Sequence, residues 1–142
     1  MTLVPSAQSV KVGESFTVDV VVASDISTGG AQCALKFDPH LLKCEGAAEG
    51  DFYKVWAESN GGFTMFFPEP KIDNKTGTIT AAAVSKMNAE GGPKGNGVVL
   101  SYRFTAKAAG TAELKMSDCY VVNPIGDVIE NVTVTNAQIV IK

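Results

Sequence analysis

One stretch constrains the chain more than any other: Gly29-Gly30-Ala31-Gln32-Cys33-Ala34-Leu35-Lys36-Phe37-Asp38-Pro39-His40-Leu41-Leu42. Its period is two. Ala31, Cys33, Leu35 and Phe37 point one way and Gly30, Gln32, Ala34 and Lys36 the other, the pattern of a β-strand with one packed and one free face. Asp38-Pro39 then ends the pairing, because proline fixes φ and lacks an amide donor while the preceding aspartate caps a turn. The next strand starts near Leu42.

The same pattern recurs along the chain. Phe16, Val18, Val20 and Val22 share a face, as do Val98, Leu100, Tyr102, Phe104 and Ala106, and then Ala112, Leu114 and Met116. Phe63-Thr64-Met65-Phe66-Phe67 is a strand ended by Pro68, and Thr78 to Val84 is another despite its alanines, since Thr-Gly-Thr-Ile-Thr leads into it. The 14 glycines and 6 prolines fall between these runs as turn residues would. No helical period stands out, and 46–62, with Phe52, Tyr53 and Trp56, reads as the longest irregular region. About nine strands at roughly 8–15 residue spacing predict an all-β, two-sheet β-sandwich. A chain of 142 residues is one domain's worth, so 1–142 is expected to be a single domain.

Composition removes several function classes. Fifteen acids against 12 bases give a net charge of −3, which lacks the electrostatic attraction that dominates nucleic-acid binding. No run approaches the roughly 20 apolar residues that span a bilayer, so no membrane contact is expected of this domain. Met1-Thr2-Leu3 has no signal-peptide character, so the chain is either cytosolic or has had its signal cut away; the strand-like residues that follow at once look like a domain taken from a longer protein, which allows an extracellular origin. Cys33, Cys44 and Cys119 form no metal-ligand spacing and read as three free, buried thiols. Cys33 and Cys44 flank the Asp38-Pro39 turn and should enter opposite sheets, roughly 10 Å apart and beyond disulfide reach.

Catalytic groups are scarce. His40 is the only histidine, follows a turn proline and has no partner pattern for nucleophilic chemistry. Asp73-Asn74-Lys75-Thr76-Gly77 looks like half a calcium loop, but the bidentate glutamate that would complete it is absent, so it reads as a hairpin turn. Gly91-Gly92-Pro93-Lys94-Gly95-Asn96-Gly97 lacks the ending of a phosphate cradle and reads as a flexible connection. Asn74-Lys75-Thr76 and Asn131-Val132-Thr133 match the glycosylation sequon. The chain is therefore expected not to be an enzyme, and to hold no metal or cofactor.

The order and spacing of three motifs resemble a cohesin domain: Val12-Gly-Glu-Ser-Phe-Thr-Val18, the Gly29–Leu42 stretch, and Gly97-Val-Val-Leu-Ser-Tyr-Arg-Phe104. The resemblance runs from about Val10 to Lys142. It implies a jelly-roll sandwich that binds a dockerin, a calcium-loaded helical module, through one sheet face, with the calcium on the partner, and it places the protein in an extracellular or cell-surface assembly such as a cellulosome. Carried onto this sequence, polar contacts fall at Gly30 and Gln32, where cellulosomal relatives often have asparagine and aspartate. Apolar contacts fall at Met65, Phe67, Thr80 and Ala82, a loop contact at Ser85, where an acid is common, and a late apolar contact at Val128.

Met65 and Phe67 could instead pack beneath the 46–62 region. The alternative function is a carbohydrate-binding module that offers Phe52, Tyr53 and Trp56 to sugar rings. A structural surface domain without a ligand is a third reading.

Overall fold

The alternation of apolar residues folds as eleven strands and one helix in the computed structural model, which describes residues 1–142. The strands are β1 (Thr2–Pro5), β2 (Ser9–Val10), β3 (Ser15–Ser24), β4 (Gly30–Phe37), β5 (Leu42–Glu49), β6 (Phe63–Phe66), β7 (Ile72–Asp73), β8 (Thr78–Met87), β9 (Gly95–Ala106), β10 (Gly110–Val122) and β11 (Ala137–Ile141). The helix α1 spans Asp51–Ser59. A four-stranded sheet runs β1-β3-β9-β5, and a seven-stranded sheet runs β2-β11-β10-β4-β8-β6 with β7 on β8. All strand pairs are antiparallel except β2 with β11.

The inward residues of both sheets meet in one core. Ala31, Cys33, Leu35 and Phe37 from β4 face Val18, Val20, Leu100, Tyr102 and Phe104 from β3 and β9, all buried. Phe104 is the aromatic centre: its ring lies 5.8 Å from Phe16, stacked, and 5.3 Å from Phe37, edge-on. At Asp38-Pro39 the turn forms as its chemistry dictates, with the His40 amide donating to Asp38 Oδ1 at 2.9 Å and the Leu42 amide to the Asp38 carbonyl at 3.0 Å. The Asp73–Gly77 turn closes on itself, since Asp73 Oδ1 accepts the Lys75 and Thr76 amides and Gly77 takes the left-handed φ of +72°. Asn74 reaches across to β5, where its Oδ1 accepts the Cys44 amide at 2.8 Å and its Nδ2 donates to the Cys44 carbonyl at 3.0 Å. That sequon asparagine is thus committed to the backbone.

Three expectations are corrected. The region 46–62 is not wholly irregular: it continues β5 to Glu49 and then forms α1. Phe52, Tyr53, Trp56 and Ala57 fall at i, i+1, i+4 and i+5, a helical stripe that seats Tyr53 and Ala57 in the interior. Cys33 and Cys44 are buried in opposite sheets, but Cys119 is only half-buried. The 90–97 connection is docked rather than free, because the Tyr53 hydroxyl donates to Thr28 Oγ1 at 2.9 Å and Thr28 in turn donates to the Pro93 carbonyl at 3.0 Å.

Burial pushes the Cys33 thiol up to about 12 and the Cys44 thiol up to about 11, so neither supplies thiolate near neutrality. A disulfide-forming reagent at pH 8 is expected to titrate one thiol, Cys119, in the native protein and three after denaturation. Rapid native reaction of a second thiol, or a denatured count of one, would contradict the packing.

The Tyr102 hydroxyl is buried with no oxygen or nitrogen partner, and its polar neighbour is the Cys33 thiol, a weak hydrogen-bonding group that does not repay its desolvation. An unpaired buried hydroxyl carries its desolvation penalty without return, so Tyr102→Phe is expected to leave stability unchanged or raise it by about 1 kcal/mol. The midpoint of urea unfolding measures this, and a clear loss would show that the hydroxyl is bonded.

Candidate partner-binding face

The outer face of the seven-stranded sheet can be built up row by row from its register. β4 is central, flanked by β10 and β8, with β6 at the edge. Gly30 pairs with Ser85 on one side and Val122 on the other; Ser85 continues to Met65, and Val122 to Val128 through an isolated bridge. Residues paired across antiparallel strands point to the same side, so this row runs Val128, Val122, Gly30, Ser85, Met65. The next row runs Tyr120, Gln32, Ala83, and reaches Phe67, whose amide donates to the Ala83 carbonyl at 3.0 Å.

The alternation in β6 works as its sequence implies. Phe63, Met65 and Phe67 stand outward at 51%, 43% and 72% exposure, while Phe66 packs against the core from the other side. These large apolar side chains do not lie beneath α1; they are in the open. None of the side chains in the two rows is charged.

Two β-bulges decide the rest. In β8, Cys33 faces Ala82 and Leu35 faces Ile79, so two β8 residues, Thr80 and Ala81, oppose Ala34 alone. A bulge of this kind reverses the in-out phase. Ile79 and Ala82 are therefore both buried, and Ala82, expected to be a partner contact, belongs to the core at 0% exposure. Ala83 takes its place on the outside. Thr80 is exposed but stands apart from the two rows, its hydroxyl accepting the Lys71 amide at 2.7 Å.

In β10 the register shifts between Ser117 and Tyr120, with Asp118 in the left-handed region at φ +51°. Met116 and Val121 are both inward as a result, and Tyr120 turns outward at 47% exposure. The alternation Ala112, Leu114, Met116 would have placed Tyr120 inside. The only signal in the sequence is the polar Ser117-Asp118 pair that interrupts the apolar rhythm. Gln32 lies at this bulge, and its Nε2 donates to the Asp118 carbonyl at 3.4 Å.

Gly30 is on the outer face but is itself buried by its neighbours, as is Ala34. A Cβ at Gly30 would lie 2.8 Å from the Val84 carbonyl oxygen and 3.0 Å from the Ser85 Cβ, so the asparagine common in relatives would not fit here without a shift. Beyond Val122 the chain turns tightly at 123–127, where Asn123 Oδ1 accepts the amides of Ile125 and Asp127 at 3.1 and 2.9 Å. This turn holds Ile125 out at 84% exposure, a residue sequence reasoning missed. The expected contacts Gln32, Met65, Phe67, Ser85 and Val128 are brought together, with Gly30 as floor.

The loop aromatics form no platform. Tyr53 is fully buried, Phe52 packs over Gly97 with its ring 5.0 Å from that of Tyr53, and Trp56 is half-buried beside Gly91. His40 is exposed and hydrogen-bonded only to Asp38, through Nδ1 at 3.2 Å as well as its amide. No three His, Cys, Asp or Glu side chains are close enough to hold a metal ion.

A family model for the cohesin domain matches residues 1–141. Among curated proteins none matches the sequence. The fold is similar to that of a non-cellulosomal cohesin from the hyperthermophilic archaeon Archaeoglobus fulgidus, with TM-score 0.72 and 14% identity over 99% of this chain and 90% of that one. It is also similar to the second type II cohesin module of a cellulosomal adaptor scaffoldin from Acetivibrio cellulolyticus, with TM-score 0.77 and 15% identity over 97% of this chain and 94% of that one. A third similar chain comes from a type II cohesin–X-dockerin complex of the same bacterium, with TM-score 0.73 and 17% identity over 99% of this chain and 98% of that one.

Proposed function

The chain belongs to the cohesin family, and from that premise we propose that residues 1–142 act as one non-catalytic module that binds a dockerin through the outer face of the seven-stranded sheet. The observation that carries this reading is the exposed, uncharged cluster of Phe63, Met65 and Phe67 beside the small residues of β8 and β4. Large apolar side chains concentrated in one place mark a protein-binding surface, and methionine adapts to a partner's shape. The structure of a relative in a cohesin–X-dockerin complex supports the choice of partner. Calcium, on this reading, is carried by the dockerin, and the setting is an extracellular or cell-surface assembly. Gln32, Met65, Phe67, Ser85 and Val128 form the contact surface, joined by Tyr120 and Ala83. Gly30 and Gln32 depart from the cellulosomal pattern and give this domain a partner preference of its own.

The test sets a dockerin library against cellulose and chitin in parallel pull-downs with the purified domain. Retention of a calcium-loaded dockerin, lost when calcium is chelated, is the expected result. Retention on polysaccharide alone would overturn the proposal in favour of sugar binding.

A further inference from the structure

The two N-glycosylation sequons of the chain meet opposite fates in the fold. In Asn74-Lys75-Thr76 both groups of the acceptor are occupied. The Asn74 carboxamide holds the Cys44 amide at 2.8 Å and the Cys44 carbonyl at 3.0 Å, and the Thr76 hydroxyl lies 2.8 Å from that of Thr78. Asn74 is also half-buried, so freeing its Nδ2 for chemistry would strand two backbone groups of β5.

Asn131-Val132-Thr133 lies in the irregular segment between β10 and β11. The segment is pinned on either side of the sequon: the Ile129 amide donates to the Val121 carbonyl at 2.8 Å, the Thr135 amide to the Met1 carbonyl at 2.9 Å, and the Leu3 amide to the Thr135 carbonyl at 3.0 Å. Between these points Val132 packs against the core, while Asn131 and Thr133 on its two flanks stand in solvent. Asn60, Asn123 and Asn136, like Asn74, bond backbone groups through their side chains, but the Asn131 carboxamide does not. A left-handed φ of +64° favours asparagine at 131 on backbone grounds alone, yet it does not call for a threonine two residues on.

We propose that Asn131 is the acceptor of an N-linked glycan on the folded domain, and that Asn74 is not. The donor is a lipid-linked oligosaccharide diphosphate, delivered by a transferase that reads Asn-x-Ser/Thr. Asn131 Nδ2 attacks the anomeric carbon of the first sugar. A C–N bond forms as the C–O bond to the diphosphate breaks; the diphosphate leaves with the electron pair, and the amide proton passes to a base of the transferase. Nothing is oxidised or reduced. The site lies beside β1 and the end of β10, three strands from the β6 cluster of Phe63, Met65 and Phe67, and the inference does not rest on the dockerin reading.

The experiment incubates the purified, folded domain with a single-subunit oligosaccharyltransferase that requires only Asn-x-Ser/Thr and with a polyprenyl-diphosphate oligosaccharide. Intact mass and glycopeptide mapping read the product, and synthetic peptides spanning 71–79 and 128–136 run in parallel. Both peptides are expected to be modified, whereas the folded domain gains the mass of one glycan, at Asn131. Thr133→Ala, which leaves Asn131 in place, is expected to abolish that gain with an unchanged urea midpoint. A glycan on Asn74 of the folded domain, no glycan on Asn131, or a glycan that persists in Thr133→Ala would each overturn the proposal. So would a 128–136 peptide that the transferase ignores.

Discussion

Met65→Asp is expected to reduce dockerin affinity at least a hundredfold while the domain unfolds at its usual urea concentration. Met65 stands on the outer face of the seven-stranded sheet at 43% exposure, paired with Ser85 through the backbone, so the folded domain can hydrate a carboxylate there. Under a bound partner it cannot. A charge trapped unpaired in a desolvated apolar centre costs several kcal/mol, and about 2.8 kcal/mol already corresponds to a hundredfold. Isothermal titration calorimetry measures the loss. Val4→Asp is the matched control, since Val4 is exposed to 45% on β1 of the other sheet and its substitution should leave affinity unchanged. Equal affinities for Met65→Asp and the unmodified domain would place the docking surface elsewhere.

Phe104→Ala is expected to destabilise the domain by about 3–5 kcal/mol, read from urea unfolding with an unchanged slope. Phe104 is fully buried between Phe16 from its own sheet and Phe37 from the opposite one. Removing the ring deletes contacts in both sheets, and the rigid walls of a sandwich close only partly over the space. Domains are stable by about 5–15 kcal/mol, so such a loss is a large share of the total. A loss below about 1 kcal/mol would mean that the two sheets are held together elsewhere.

The fold was largely legible in the chain because strand alternation is local. Phe16 to Val22, Ala31 to Phe37 and Leu100 to Ala106 each show which side is buried without reference to any neighbour. The helix was equally present, as the i, i+4 spacing of Phe52 with Trp56 and of Tyr53 with Ala57, but a nine-residue helix within the ten residues between Gly50 and Gly61 is easily taken for a loop. The candidate face was legible in part. Gln32, Met65, Phe67, Ser85 and Val128 emerge together on one surface. Ala82 does not, and Tyr120 appears unannounced.

The reason lies in what each residue's orientation depends on. By itself the sequence determines the in-out pattern within a strand, because successive side chains alternate by backbone geometry alone, and it determines the turn at Asp38-Pro39 through the chemistry of those two residues. Only the tertiary structure decides where that pattern changes phase. The bulges at Thr80-Ala81 and at Asp118-Cys119 form where β8 and β10 each pair with β4, and pairing between strands distant in sequence leaves little local mark beyond the polar Ser117-Asp118 pair. Those two one-residue slips bury Ala82, turn Ala83 and Tyr120 outward, and so complete the surface.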